Sequence, residues 1–127
     1  MDKELNSVNK IVESIKNSKK YNSHYDKYEK YLDCINKYLN NEDCSNAGQL
    51  SADIRRITSY FGTFNTTFDS ILRKTLIEVL SFIYYYNKGD EIRAKDDLKR
   101  ALEYSSKIQQ VIEDEEDFAK NLAKHYR

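Results

Sequence analysis

Apolar residues recur every three or four positions along almost the whole chain, and the polar residues between them gather on the opposite side of a helical wheel. Leu5, Val8, Val12 and Ile15 make the first such stripe, which Asn17-Ser18-Lys19-Lys20 ends. A second runs from about Tyr21 or Tyr25 to Leu39, with Tyr28, Leu32, Ile35 and Leu39 in step. Asn40-Asn41-Glu42 closes it, and Asp43 is placed to cap the next helix by accepting from a free backbone N–H. The third stripe carries Ala47, Leu50, Ile54, Ile57 and Phe61, with Gly62 as its terminating glycine. Asn65 or Thr66 can open the fourth, which holds Phe68, Ile71, Leu72, Leu76, Val79, Leu80 and Ile83. Its apolar face is the widest in the chain, so this helix should be the most buried. Asn87-Lys88-Gly89 stops it, and Asp90 can cap a fifth segment with Ala94, Leu98, Ala101, Ile108, Ile112, Ala119 and Leu122 in step. Unbroken from Glu91 to Tyr126, that segment would span ~54 Å at 1.5 Å per residue. It should therefore overhang the bundle or bend near Glu113-Asp114-Glu115-Glu116-Asp117.

What is missing supports the same reading. The chain has no proline and only Gly48, Gly62 and Gly89 as glycines, and these two residue types cost roughly 3 and 1 kcal/mol inside a helix. No segment alternates apolar and polar residues for long, as a half-buried strand would. The expected fold is all-α: a compact bundle of four to five helices built from antiparallel hairpins. Residues 1–127 make one domain, with 1–20 expected as a loosely attached N-terminal helix. The connections at Asn40–Asp43 and Asn87–Asp90 are short, which predicts antiparallel packing of the helices they join. Tyr38, Asn40, Asp43 and Ala47 recur forty-seven positions later as Tyr85, Asn87, Asp90 and Ala94. Shared turn chemistry accounts for this faint repeat more simply than a duplicated hairpin.

Charge narrows the function. Twenty-one basic side chains balance twenty-one acidic ones, with the signs mixed along the chain. Electrostatic nucleic-acid binding normally leaves a basic surplus, so it is disfavoured, and a local patch is the one route left to it. The longest apolar stretch, Leu76 to Tyr86, is about half the ~20 residues of a membrane-spanning helix. Met1-Asp2-Lys3-Glu4 lacks the apolar run of a secretory signal. A soluble, cytoplasmic protein without a membrane partner is expected. Cys34 and Cys44 flank one turn, and two cysteines are too few for a disulfide framework. They are expected to be buried or idle thiols.

Tyr85 to Tyr104, YYNKGDEIRAKDDLKRALEY, resembles the turn and second helix of a tetratricopeptide repeat. Tyr85 matches the aromatic of its first helix and Gly89-Asp90 its turn, while Ala94, Leu98 and Ala101 match the small–large–small ladder of its second. Phe82, Ser106 and Glu78 depart from the pattern, and a stack of three repeats does not fit the chain. The resemblance implies a helical hairpin. Tyr38 to Ile57 resembles, more weakly, the paired helices of HEPN domains. Nucleases of that family place a histidine four to six residues after an arginine, whereas His24 and His125 follow no such arginine and His125 has Lys120 upstream. This second resemblance implies an inactive member.

No catalytic, cofactor or metal signature is readable. The scattered glycines form no phosphate loop, the cysteines and histidines lack zinc spacing, and the Glu-x-x-His of di-metal bundles is absent. Asp96-Asp97 precede Lys99-Arg100 and read as solvated ion pairs on a helix surface. The expected activity is therefore non-catalytic: a protein–protein interaction module or small adaptor, free of cofactors and able to bind another protein or its own copy. Its candidate docking strip is Tyr21, Tyr25, Tyr28 and Tyr31, since tyrosine offers large contact area at modest entropy cost. The rival reading is that these rings form the bundle's seam. A candidate basic patch is Arg55, Arg56, Arg73 and Lys74, beside Tyr60 and Phe61. It would suit a small helical subunit of a nucleic-acid-handling, defence or antitoxin complex.

Overall fold

The computed structural model describes residues 2–18, 28–60 and 67–125. Six helices follow one another: α1 (Asp2–Ser18), α2 (Glu29–Leu39), α3 (Ala47–Tyr60), α4 (Thr67–Asn87), α5 (Glu91–Ser106) and α6 (Ile108–His125). Strands are absent among the described residues. The compact all-α bundle expected from periodicity is the fold.

The fourth helix is its axis, as its wide apolar face requires. Phe68, Leu72, Leu76, Val79, Leu80, Phe82 and Ile83 are all buried, and α4 touches α2, α3, α5 and α6. The α4–α5 and α3–α4 contacts are the most extensive in the molecule. Between α3 and α4 the spacing is close. The Ser51 and Ser81 hydroxyls meet at 3.1 Å, and a Cβ added to Gly48 would lie 2.6 Å from the Tyr84 ring. Glycine is needed at that position for the helices to approach.

Several expectations are corrected. The N-terminal helix is not loosely attached: Val8, Ile11, Val12 and Ile15 are buried in the common core. α2 does not lie along α3 but packs on α1 and α4, where Tyr38 meets Phe82 and Tyr86 edge-on at 5.5 and 5.8 Å between ring centres. The cause is at the connection. Cys34 and Cys44 are joined in a disulfide with Cα atoms 5.6 Å apart, so the chain leaving α2 is tied back onto it. Both cysteines are buried, as expected, but as a bonded pair and not as thiols. Asp43 does not cap α3, which begins four residues later at Ala47, while the Asn46 carbonyl accepts from the Leu50 N–H. Asp90 does cap α5, accepting from the Arg93 N–H at 3.2 Å. Gly62, Asn65 and Thr66 lie outside the described residues.

Both helix-ending turns adopt the same device. Asn41 and Gly89 take positive φ, 59° and 79°, a conformation open to glycine and tolerated by asparagine. The Glu42 N–H donates to the Lys37 carbonyl, the Asp90 N–H to the Tyr85 carbonyl. Each closes a Schellman motif on its helix C-terminus. These turns are 48 residues apart, one more than the repeat spacing, so the repeated residues do not occupy equivalent positions. Common capping chemistry is enough to account for the pattern.

The last stretch is two helices, divided at Lys107, where the Lys107 N–H reaches the Tyr104 carbonyl. The break falls upstream of the acidic run where a bend was expected. Ile108 and Ile112 are the last buried residues of α6, whose N-terminal part packs on α1 and α4. Past them the helix overhangs the bundle.

Candidate functional site

Tyr28 and Tyr31 belong to the core. The two rings, 1 and 0 % exposed, pack 6.4 Å apart. The Tyr28 hydroxyl donates to the Asp69 carboxylate, and burial together with that carboxylate pushes the phenol well above its ordinary range. They are thus unavailable as a docking strip. Tyr21 and Tyr25 lie outside the described residues. A tyrosine stripe satisfies the spacing of a buried seam as readily as that of an exposed strip, because both need one helical face.

The basic patch is divided for a similar reason. Arg73 is 2 % exposed, with Nε 3.7 Å from Asp69 Oδ2, so this cation is spent on a buried pair. Removing either partner of such a pair leaves an uncompensated charge inside. Arg55, Arg56 and Lys74 remain exposed, and Lys74 Nζ stands 6.0 Å from the Tyr104 ring centre across on α5. Phe61 lies outside the described residues. The signal that separates Arg73 from Lys74 was in the spacing: Asp69, Arg73, Leu76 and Leu80 step along the apolar face of α4 as i, i+4, i+7 and i+11.

A polar cluster that spacing had placed in solvent lies between α4 and α5. Asp97 is 5 % exposed and faces Glu78 of α4, while Arg100 donates to both, through Nε to Glu78 Oε2 at 3.2 Å and through its terminal nitrogen to Asp97. Burial, then the Glu78 charge, pushes the Asp97 carboxyl up to about 6, against the pull of Arg100. Asp97 is therefore no solvated surface acid. It falls three residues after Ala94 and four before Ala101, on the buried ladder itself. Chemically the cluster takes up a proton as pH falls through about 6. Among the described residues, no group of three metal-ligating side chains forms.

Two surfaces could receive a partner. The first is an open groove of about 620 Å³ between α3 and α4, floored by Gly48, Ser51 and Ser81 and walled by Tyr84 and Tyr85. Lys88 Nζ covers the Tyr84 ring at 4.5 Å and the Arg93 guanidinium the Tyr85 ring at 5.5 Å. The second is the overhang of α6, where Phe118 is 65 % and Leu122 41 % exposed. Sequence spacing alone had given α6 its apolar stripe without showing where the bundle stops covering it.

Comparison with known proteins returns no matching family model, no matching curated protein and no matching solved structure. Among the described residues, no helix is long and apolar enough to cross a membrane.

Proposed function

We propose that this protein is a non-catalytic helical interaction module that docks another protein through the overhanging part of α6. A single observation carries the reading. The apolar face on which Val111 packs against the core continues seven and eleven residues on as Phe118 and Leu122, which the bundle leaves in solvent. Isolated exposed apolar residues are ordinary, but a stripe in register with a buried one is the form an amphipathic helix takes when a partner completes its burial. Phe118 supplies the aromatic anchor on which interface energies concentrate. The nucleic-acid reading has less behind it, because the core holds Arg73 of its four-residue patch.

The bonded cysteines favour an oxidising compartment over the cytoplasm, where thiols are kept reduced. The test of the interaction role is affinity capture from the native host with the intact chain and with Phe118→Asp/Leu122→Asp. A protein retained by the first and lost from the second, at unchanged melting temperature, is the expected result. Identical capture by both would refute the role of α6, and retention of nucleic acid alone would favour the Arg55, Arg56 and Lys74 surface.

A further inference from the structure

We infer that the α4–α5 seam is a pH-sensitive latch, closed while Asp97 and Glu78 share one proton and loosened when that proton leaves. The latch is independent of the role proposed for α6. Arg100 donates to Glu78 Oε2 at 3.2 Å and to Asp97 Oδ1, so one guanidinium serves two carboxyl groups. Asp97 Oδ2 is left buried, and among the described residues no group donates to it. A buried acceptor without a donor is costly, and two facing carboxylates repel. A proton on Oδ2 relieves both at once, because the oxygen becomes a donor and Glu78 can accept from it. Ala94 and Ala101, both buried, flank Asp97 by three and four residues, so the charge left by the departing proton arises within the seam.

The other charges around this position are engaged elsewhere. On α5, Arg93 is paired with Asp90 and set over the Tyr85 ring. On α4, Arg73 is paired with Asp69, and Lys74 stands against the Tyr104 ring. From α1, Lys3 and Glu4 share a groove with Lys95 and Lys99, which lie about 160° around the helical wheel from Asp97. The α6 helix carries no charged side chain before Glu113. Arg100 itself is 47 % exposed, where solvent screens its pull. Burial and the Glu78 charge therefore prevail, and the Asp97 carboxyl is pushed up to about 6. The latch closes as pH falls through that value and opens as pH rises through it.

Amide hydrogen exchange of the full chain, corrected for its intrinsic pH dependence and repeated in low urea, tests this. At about pH 7.5, residues 94–101 should exchange through an opening that urea scarcely promotes, the mark of local loosening. At about pH 5 that opening should be about tenfold rarer, the linkage expected when a carboxyl moves from its ordinary ~3.9 to about 6. Glu78→Gln puts an N–H donor where the proton was and removes one charge. It should weaken proton binding at Asp97 about tenfold or more, read by carbon-13 NMR titration of the carboxyl, and reduce the pH effect on exchange to about twofold or less. Asp97→Asn should keep the seam closed at both pH values. Exchange in this stretch that tracks global unfolding at both pH values, or a local opening indifferent to pH, overturns the latch, and both are read on the parent chain without any variant. An Asp97 midpoint that stays at about 6 in Glu78→Gln would show that burial alone holds the proton and would overturn the sharing.

Discussion

The Tyr28 hydroxyl donates to the Asp69 carboxylate, joining the start of α2 to the first turn of α4. Asp69 also neutralises Arg73 one turn later, so the phenol, the carboxylate and the guanidinium form one buried polar unit inside an apolar interface. Such units are costly when incomplete and specific when complete. Tyr28→Phe should therefore lower stability by about 1–3 kcal/mol, the penalty of a buried acceptor that loses its donor. Tyr28→Ser should cost more, about 3–5 kcal/mol, because it also leaves a cavity where the ring was. Urea denaturation of the two variants measures the difference; a Tyr28→Ser variant as stable as the parent would contradict the burial of this ring.

The Glu78–Asp97–Arg100 cluster predicts a pH dependence of definite sign. In the unfolded chain the Asp97 carboxyl titrates near ~3.9, and in the fold it is pushed up to about 6. The folded state thus binds the proton more tightly, and its contribution to stability is full below the unfolded value and lost as pH rises through about 6. Asp97→Asn keeps the shape and removes the charge. At pH 7 it should be more stable than the parent by on the order of 2 kcal/mol, and the two should converge near pH 4. Urea midpoints across that range would show it, and an Asn variant weaker than the parent at pH 7 would mean that the Arg100 contact outweighs burial.

How far the sequence reaches can be judged from these same residues. The helices, the burial of α4 and the Asp90 cap all follow from local rules: spacing, propensity and capping act within a few residues. The path of α2 does not, because it depends on the Cys34–Cys44 bond and on aromatic packing against Phe82 and Tyr86, which join distant parts of the chain. Where the structure turns an expected surface residue inward, one ambiguity is the cause. Tyr28, Tyr31, Arg73 and Asp97 are polar or amphipathic groups standing on apolar faces, and polarity was read as exposure where spacing pointed inward. Leu122 shows the converse, an apolar residue in register that is exposed because the bundle stops short of it.

Gly48 gives a prediction in which two principles oppose each other. Gly48 lies in the first turn of α3, where alanine is favoured over glycine by less than the roughly 1 kcal/mol of a helix interior, and the added Cβ would fall 2.6 Å from the Tyr84 ring. The ring must swing away, and Lys88, 4.5 Å from its centre, must follow. Crowding should win, so Gly48→Ala should destabilise by about 1–3 kcal/mol. With Tyr84→Ala already in place, the same change should be neutral or stabilising. A double-mutant cycle measures this coupling, and additive effects would show that the Tyr84 ring does not crowd position 48.

Reduction of the Cys34–Cys44 bond should act chiefly on the unfolded chain. The bond closes a short loop, with a sequence separation of 10, and loops of that length contribute about 3 kcal/mol by limiting the freedom of the denatured state. Both sulfur-bearing residues are buried, so a reductant should reach them slowly while the fold is intact. Cys34→Ala/Cys44→Ala should be helical, with a lower urea midpoint and a larger change in exposed surface on unfolding, seen as a steeper denaturant slope. The effect should concentrate at α2, because that helix is held by its contacts with α1 and α4 and by this link to the segment before α3. Amide exchange should quicken most in residues 29–46, while α4 and α5 should lose only the protection that follows from the lower global stability. Uniform acceleration along the whole chain would show instead that the bond governs only the global equilibrium and leaves the position of α2 to its packing.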